Sequence, residues 1–424
     1  MRFLRAISRF LTGAVFILSG FLKIIDPIGF GLKISEYLNA FHLGWIAPLS
    51  VCMGIVLSAA EFIIGVCVLK GIKMRFFTLL ALVFISFFTL LTFVSALWNP
   101  VSDCGCFGEA VHLTNWETFF KDVVLLACAV LIYVQRNRFE PIADSFWEIV
   151  YLCVYGVFIA GIAVYSLIRL PLIDFGAYKA GTDLEASVET GAEREYETTF
   201  IYSKDGREQE FDIDNIPDST WQFVDARTVL VKAAGKEDGL IDFALKNRDG
   251  EYVTEEILNS PDPVFFISLY KKETPRIAER AGRLRNLLKR IAPSASVYLI
   301  NGNSMEETDP SEEAVPVLYT DYKTALTLNR SNGGLTYLSK GMIVDKWACG
   351  NYPFRKLDKL LAADPDIVTA RVIIREQLSA EFFLLLVFFM ILIVRFFSKR
   401  IYIRSLVRRR LRPDLPEKEN RENI

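Results

Sequence analysis

A chain of 424 residues has room for two or three domains, which excludes a single small one. It is 52% apolar, holds 33 Phe and carries a net charge of only −2, so a strongly acidic or basic protein is excluded as well. The averages hide a sharp partition. Residues 1–171 and 381–397 are almost continuously apolar, 172–380 read as an ordinary soluble sequence, and 398–424 are basic. Residues 172–376 carry 35 Asp and Glu against 26 Lys and Arg, so the soluble stretch is acidic.

A spanning helix needs about 20 mostly apolar residues, because the hydrocarbon core is about 30 Å thick. Six stretches are predicted to span: 10–25, 46–69, 76–98, 116–134, 149–168 and 382–397. The second is interrupted only by Glu61. The first, fourth and sixth contain Lys23, Lys121 with Asp122, and Arg395, whose charges must snorkel toward the headgroups. Arg2, Arg5 and Arg9 precede the first span, and Lys70, Lys73 and Arg75 lie between the second and third. Arg136 and Arg138 follow the fourth, and the tail after the sixth is rich in Arg. If the spans alternate, all four clusters fall on one side, which the positive-inside tendency makes cytoplasmic. Both termini are then cytoplasmic, in a multi-pass protein of the inner (cytoplasmic) membrane. The outside receives a loop over 26–44, a loop over 99–115 and the 172–380 region. A cleavable signal peptide fits the first span poorly, since no small-residue cleavage site follows and Asp26-Pro27 comes directly after it.

With that orientation each cysteine acquires a depth. Cys67, Cys128 and Cys153 lie within spans and read as small apolar packing residues. Cys52 lies about two turns from the outer end of its helix. Cys104, Cys106 and Cys349 are outside, in the compartment where disulfides persist.

Cys104-Gly105-Cys106 lies in a turn-rich segment, and Gly105 supplies the backbone freedom that so small a ring demands. Three readings remain open: a redox-active pair, an inert bridge pinning the loop, and a metal site. A bridge that short removes little entropy from the unfolded chain, which argues against stability as its only purpose. A metal would want more ligands, and His112 and Cys349 are the candidates, so no metal is predicted. Glu61 within a span is costly. Two readings stand for it: a proton site, in a cluster with Lys23 and Asp26, or a protonated carboxyl bonded to a neighbouring helix.

Ser19-Gly20-x-x-Lys23-x-x-Asp26-Pro27, with Glu61 in Ser58-Ala59-Ala60-Glu61-Phe62, resembles the DoxX-like membrane proteins over a four-helix layout. Asp103-Cys-Gly-Cys-Phe-Gly108 followed by Leu113-Thr-Asn-Trp116 resembles the MauE (methylamine utilisation) branch of that group. The resemblance covers about a third of the chain. It implies a role in forming disulfides in an exported partner, with Cys104 and Cys106 as the reacting pair and Glu61, Cys52 and Cys349 as further candidates. The pattern is also similar to vitamin K epoxide reductase and quinone-linked thiol oxidases, which would make quinone the cofactor. Those enzymes usually have two cysteine pairs; this chain has one close pair and the single Cys52.

In the acidic region, 196–202, 210–213 and 227–232 are predicted short strands. A buried strand at 263–270, an amphipathic helix at 275–291, a strand at 296–300 and a hairpin over 335–347 then indicate an α/β domain. The order resembles the thioredoxin-like fold of exported thiol oxidoreductases and peroxiredoxins. The resemblance fails at the chemistry. Lys271-Lys-Glu-Thr-Pro275 stands where a Cys-x-x-Cys site would open the helix, and Gly333-Gly334 replaces the expected cis-proline.

The predicted architecture is therefore an α-helical membrane bundle carrying an α/β thioredoxin-like domain outside. Its parts are a four-helix unit at 1–138, a fifth span and linker at 139–171, and a β-rich segment at 172–236. The thioredoxin-like domain at 237–380, a sixth span at 381–397 and a basic tail at 398–424 follow. Two functions compete: thiol–disulfide exchange with exported protein thiols or a thioredoxin-like partner, and non-enzymatic assembly through the degenerate domain. The tail fits attraction to anionic lipid, so the bilayer is the expected partner and nucleic acid is not.

Overall fold

The computed structural model describes residues 2–99, 101, 104–111, 113–139, 145–185, 195–204, 207–212, 221–232, 243–302, 315–382, 385 and 389. Asp103, His112, most of the predicted sixth span and the basic tail lie outside the described residues. The chain divides into two compact units, Met1–Gly176 with Ile374–Ile424, and Ala177–Ile373.

The first unit is helical. Its elements are α1 (Arg2–Ile25), α2 (Pro27–Ala40), α3 (Ser50–Lys70), α4 (Met74–Trp98), β1 (Cys106–Glu109), α5 (Asn115–Val134) and α6 (Ser145–Ile168). Four helical segments among the described residues are long and apolar enough to cross a membrane: Phe3–Ile25, Gly44–Lys70, Met74–Trp98 and Glu148–Ile168. Multi-pass membrane insertion follows. The predicted span over 116–134 does form as helix α5 but falls outside that set. Glu117, Lys121 and Asp122 lie in its first turns, and Asp122 is buried against the bundle.

Residues 26–44, predicted as a loop, instead contain α2. Asp26 caps that helix, its carboxylate accepting from the Gly29 amide at 2.9 Å, and Pro27 at the first helical position arrives with a suitable φ. Helices α1 and α3 form a tight seam. A methyl group built on Gly20 would lie 2.6 Å from the Phe62 nitrogen and the Ser58 oxygen, and one on Gly65 would lie 2.7 Å from the Ile17 nitrogen. Glycines at such crossings let two backbones approach in lipid, where packing and polar contacts replace the hydrophobic drive. Phe16, Ile24, Phe62, Ile64 and Val68 fill the remaining core, joined by Ile159 and Ile162 of α6.

The second unit holds two sheets. Strands β2 (Glu195–Lys204), β3 (Arg207–Asp212) and β4 (Gln222–Lys232) form an antiparallel sheet in the order β3-β2-β4. After α7 (Thr254–Leu258) come β5 (Val264–Leu269), α8 (Pro275–Ile291), β6 (Ser296–Asn301), β7 (Val317–Tyr319) and α9 (Tyr322–Leu328). Strands β8 (Gly334–Ser339) and β9 (Met342–Trp347) and helix α10 (Leu357–Leu361) follow. The five-stranded order is β7-β6-β5-β8-β9, with β5, β6 and β7 parallel and β8 and β9 antiparallel to their neighbours.

A parallel β5-α8-β6 crossover beside an antiparallel hairpin is the thioredoxin-like arrangement. Strand β5 is buried on both faces, so it reads as continuous apolar sequence rather than as alternation. Phe265, Ile267 and Leu269 face α8, which returns Ile277, Ala281, Leu284 and Leu288 from one side. Phe266 packs on the other face with Phe243, Leu245 and Ile343.

Candidate functional site

The cysteine loop is anchored from α1, α2 and the start of α5. At its far end Thr114 and Glu117 form a capping box that starts α5, and Asn115 Nδ2 donates to Asn99 Oδ1 at 2.7 Å and to the Val101 carbonyl at 3.0 Å. That amide ties the two ends of the loop together. Nearer the sulfurs, the Ser19 hydroxyl of α1 donates to the Cys106 carbonyl at 2.6 Å. Gly105 takes φ +62°, a region that favours glycine, and a Cβ there would meet Lys33 Cγ of α2 at 3.2 Å.

This scaffold sets Cys104 Sγ 2.8 Å from Cys106 Sγ. Cys104 is buried and Cys106 is part-exposed. The two thiols are thereby unequal. A hydrogen bond from the Cys104 thiol holds Cys106 below the usual thiol range, with the Lys121 and Lys23 charges acting the same way against the opposing effect of burial. That same bond, together with burial, pushes Cys104 up. Cys106 is thereby the more acidic thiol of the pair.

Charged residues ring the loop. Lys23 Nζ lies 2.7 Å from Glu61 Oε2, both side chains almost fully buried, and 5.1 Å and 5.6 Å from the ring centres of Phe30 and Phe88. The Gly20 seam makes this possible, since it brings the turn bearing Lys23 against the turn bearing Glu61. Lys121 Nζ lies 3.2 Å from Asp122 and 4.7 Å from the centre of the Phe107 ring, next in sequence to Cys106. Thr92 of α4 donates to Asp122 at 3.2 Å, and Ser95 to the Tyr37 hydroxyl at 3.3 Å.

The site residues expected from sequence separate clearly. Cys104 and Cys106 are together. Glu61 lies against Lys23. Asp26 caps α2. Cys52 is exposed on α3. Cys349 belongs to the second unit, where its amide donates to Ser331 Oγ at 3.0 Å and burial pushes its thiol up despite Arg280 and Arg276 nearby. Among the described residues no group of three His, Cys, Asp or Glu could hold a metal ion.

Sequence reading missed three contributors: Ser19 as a loop anchor, Lys33 under Gly105, and the Lys121–Asp122 pair beside the sulfurs. The last left a signal, because two charges side by side in an apolar helix mark a functional site by default.

A solved structure described as the crystal structure of Trgpx in apo form is 15% identical to this chain, covering 28% of it and 92% of that chain, with a TM-score of 0.22. Residues 196–233, which contain most of the three-stranded sheet, match a domain of unknown function (DUF8463). Protein TlpB of Flavobacterium psychrophilum is 24% identical over 135 residues, 31% of this chain and 36% of that protein, so the match spans about a third of the relative's length. Residues 1–135, which run from α1 through α5 and contain the cysteine loop, match the Methylamine utilisation protein MauE family, as the motifs of that segment led one to expect.

Proposed function

We propose that this protein carries out thiol–disulfide exchange at a membrane surface through Cys104 and Cys106. One observation carries the reading: two sulfurs 2.8 Å apart, unequal in acidity, beside buried cationic side chains. A thiolate beside lysines attacks disulfides more readily than an isolated thiol.

In the exchange, the Cys106 thiolate attacks one sulfur of a partner disulfide, and the partner's other sulfur leaves as a thiolate. The Cys104 proton passes to that leaving group. Cys104 sulfur then attacks Cys106 sulfur, closes the Cys104–Cys106 disulfide and releases the partner's first sulfur as a thiolate. Two electrons reach the partner. The reverse sequence oxidises a partner dithiol at the expense of the loop disulfide.

The Lys and Arg clusters support an orientation with both termini cytoplasmic and the loop and 172–380 outside an inner (cytoplasmic) membrane. The parse into 1–138, 139–171, 172–236, 237–380, 381–397 and 398–424 fits the same reading, with exported thiols or a thioredoxin-like protein as partner. A second reading is favoured by the cysteine-free start of α8: the thioredoxin-like domain recruits a partner without reacting, and the loop is a staple.

The test is trapping in native membranes. A Cys104→Ser chain keeps the attacking sulfur but cannot resolve the adduct, so it accumulates a mixed disulfide through Cys106. Absence of any adduct, with Cys104 and Cys106 of the unaltered chain oxidised under every growth condition, supports the staple instead.

A further inference from the structure

Helix α8 is basic within an acidic stretch. It carries six Lys and Arg against the single Glu279, whereas residues 172–376 hold 35 acidic side chains against 26 basic. Arg276, Arg280 and Arg283 follow i, i+4, i+7 spacing, so they line one face of the helix. That face adjoins the buried row of Ile277, Ala281, Leu284 and Leu288. The segment after β9 lays two aromatic rings against two of the guanidiniums. Arg280 Cζ lies 5.6 Å from the centre of the Tyr352 ring, and Arg283 Cζ 4.5 Å from that of Phe354. The rings are 5.5 Å apart, and the Tyr352 hydroxyl is tied down by donating to the Gly333 carbonyl at 2.8 Å. Among the described residues no carboxylate lies within ion-pair distance of the three arginines. A guanidinium stacked on a ring is held in place and keeps its planar donor edge for a carboxylate. Thr274 makes no side-chain cap on α8, so the helix dipole adds positive potential at the Arg276 end.

We infer that Arg276, Arg280 and Arg283 form a docking row for an acidic segment of a partner protein, whose carboxylates meet successive guanidinium forks. The inference concerns α8 alone and stands whether the cysteine loop exchanges thiols or only staples. Seven helical residues rise about 10 Å, which three or four residues of extended chain span and a single phosphate does not. A lipid surface fits less well. The exposed large apolar side chain of α8 is Ile291, at its last position, so the row lacks the apolar flank that interfacial helices bury in a bilayer.

The experiment titrates an octaglutamate peptide bearing a photoreactive group against the full-length chain in phosphatidylcholine nanodiscs, with cross-links located by peptide mass. Cross-links to α8 and to 349–354 are expected to saturate at low salt and to fade as salt rises. Arg280→Gln with Arg283→Gln weakens that site by about tenfold or more, since two charge-assisted fork contacts are lost. Cross-links to the basic tail at 398–424 report attraction by charge alone and stay unchanged. Arg280→Lys with Arg283→Lys keeps the charge but loses the stacked forks, and weakens the site by about threefold or more.

Absence of cross-links to the α8 face in the unaltered chain overturns the inference, as does a Gln pair that binds as well as the unaltered chain. If the Gln pair does not fold, the Lys pair decides, and full binding by it overturns the inference. Displacement of the peptide by an equal concentration of inorganic phosphate or glycerophosphoglycerol also overturns it, in favour of a general anion or lipid site. No cysteine takes part, so this test and the trapping of a mixed disulfide fail separately.

Discussion

In the thioredoxin-like sheet, β5 runs into Lys271–Pro275, and the strand-to-helix turn where that fold usually carries its thiols has none. In the helical unit, a loop that belongs to no such fold holds two sulfurs 2.8 Å apart. Cys349, the thiol of the α/β unit, is pushed up by burial, while Cys106 is drawn down by a neighbouring thiol and by lysines. The contrast teaches that the acidity of a thiol here follows the charges and donors around its sulfur, whatever fold surrounds it.

The sharpest way to break that comparison is to remove one cysteine from each unit. Cys106→Ser is expected to abolish exchange with a disulfide-bonded reporter peptide, whereas Cys349→Ser leaves the rate unchanged. A large loss with Cys349→Ser would place the chemistry in the other unit. Next in size is the buried ion pair. Glu61→Leu leaves Lys23 charged and uncompensated, at a cost of about 3–5 kcal/mol in unfolding free energy, and adding Lys23→Met recovers most of it. Denaturant titration in detergent measures both, and equal stability of the Glu61→Leu chain and the unaltered one would refute the pairing.

Gly20→Ala tests the seam that makes this pair possible. Its methyl meets Phe62 and Ser58 backbone at 2.6 Å, so a loss of about 1–3 kcal/mol is expected, accompanied by a higher pH onset of Cys106 alkylation as Lys23 is displaced. Stability and thiol profile should move together; a change in stability alone would detach Lys23 from the sulfurs. The smallest effect is Ser19→Ala, which removes one hydrogen bond to the Cys106 carbonyl, worth about 0.5–1.5 kcal/mol. Faster amide exchange confined to 104–108 is the expected readout.

The apolar lengths of α1, α3, α4 and α6 were legible because lipid imposes length and hydropathy directly. The order of β5, α8, β6 and the β8–β9 hairpin was legible too. A doubly buried strand and a one-sided helix each leave a distinct pattern. Helix α2 was not, because its signal lies in the Asp26-Pro27 cap rather than in any apolar period. Strand β7 is three residues long and gains meaning only from β6 beside it. The sulfur pair could be read from spacing. Its surroundings could not, since Ser19, Lys23, Lys33 and Lys121 come from three helices whose approach depends on packing.

The seam between α1 and α3 carries a consequence for the history of the sequence. Position 20 touches backbone at 58 and 62, and that contact decides whether the ammonium at 23 reaches the carboxylate at 61. Enlarging residue 20 in a descendant therefore demands a compensating change in α3, or the joint loss of the lysine and the glutamate. Positions 20, 23 and 61 are expected to drift as one linked set, inherited or discarded together, while the cysteines persist unchanged. A chain that kept both cysteines and lost the glycine would look intact by its cysteine spacing and yet present its sulfurs in a different field.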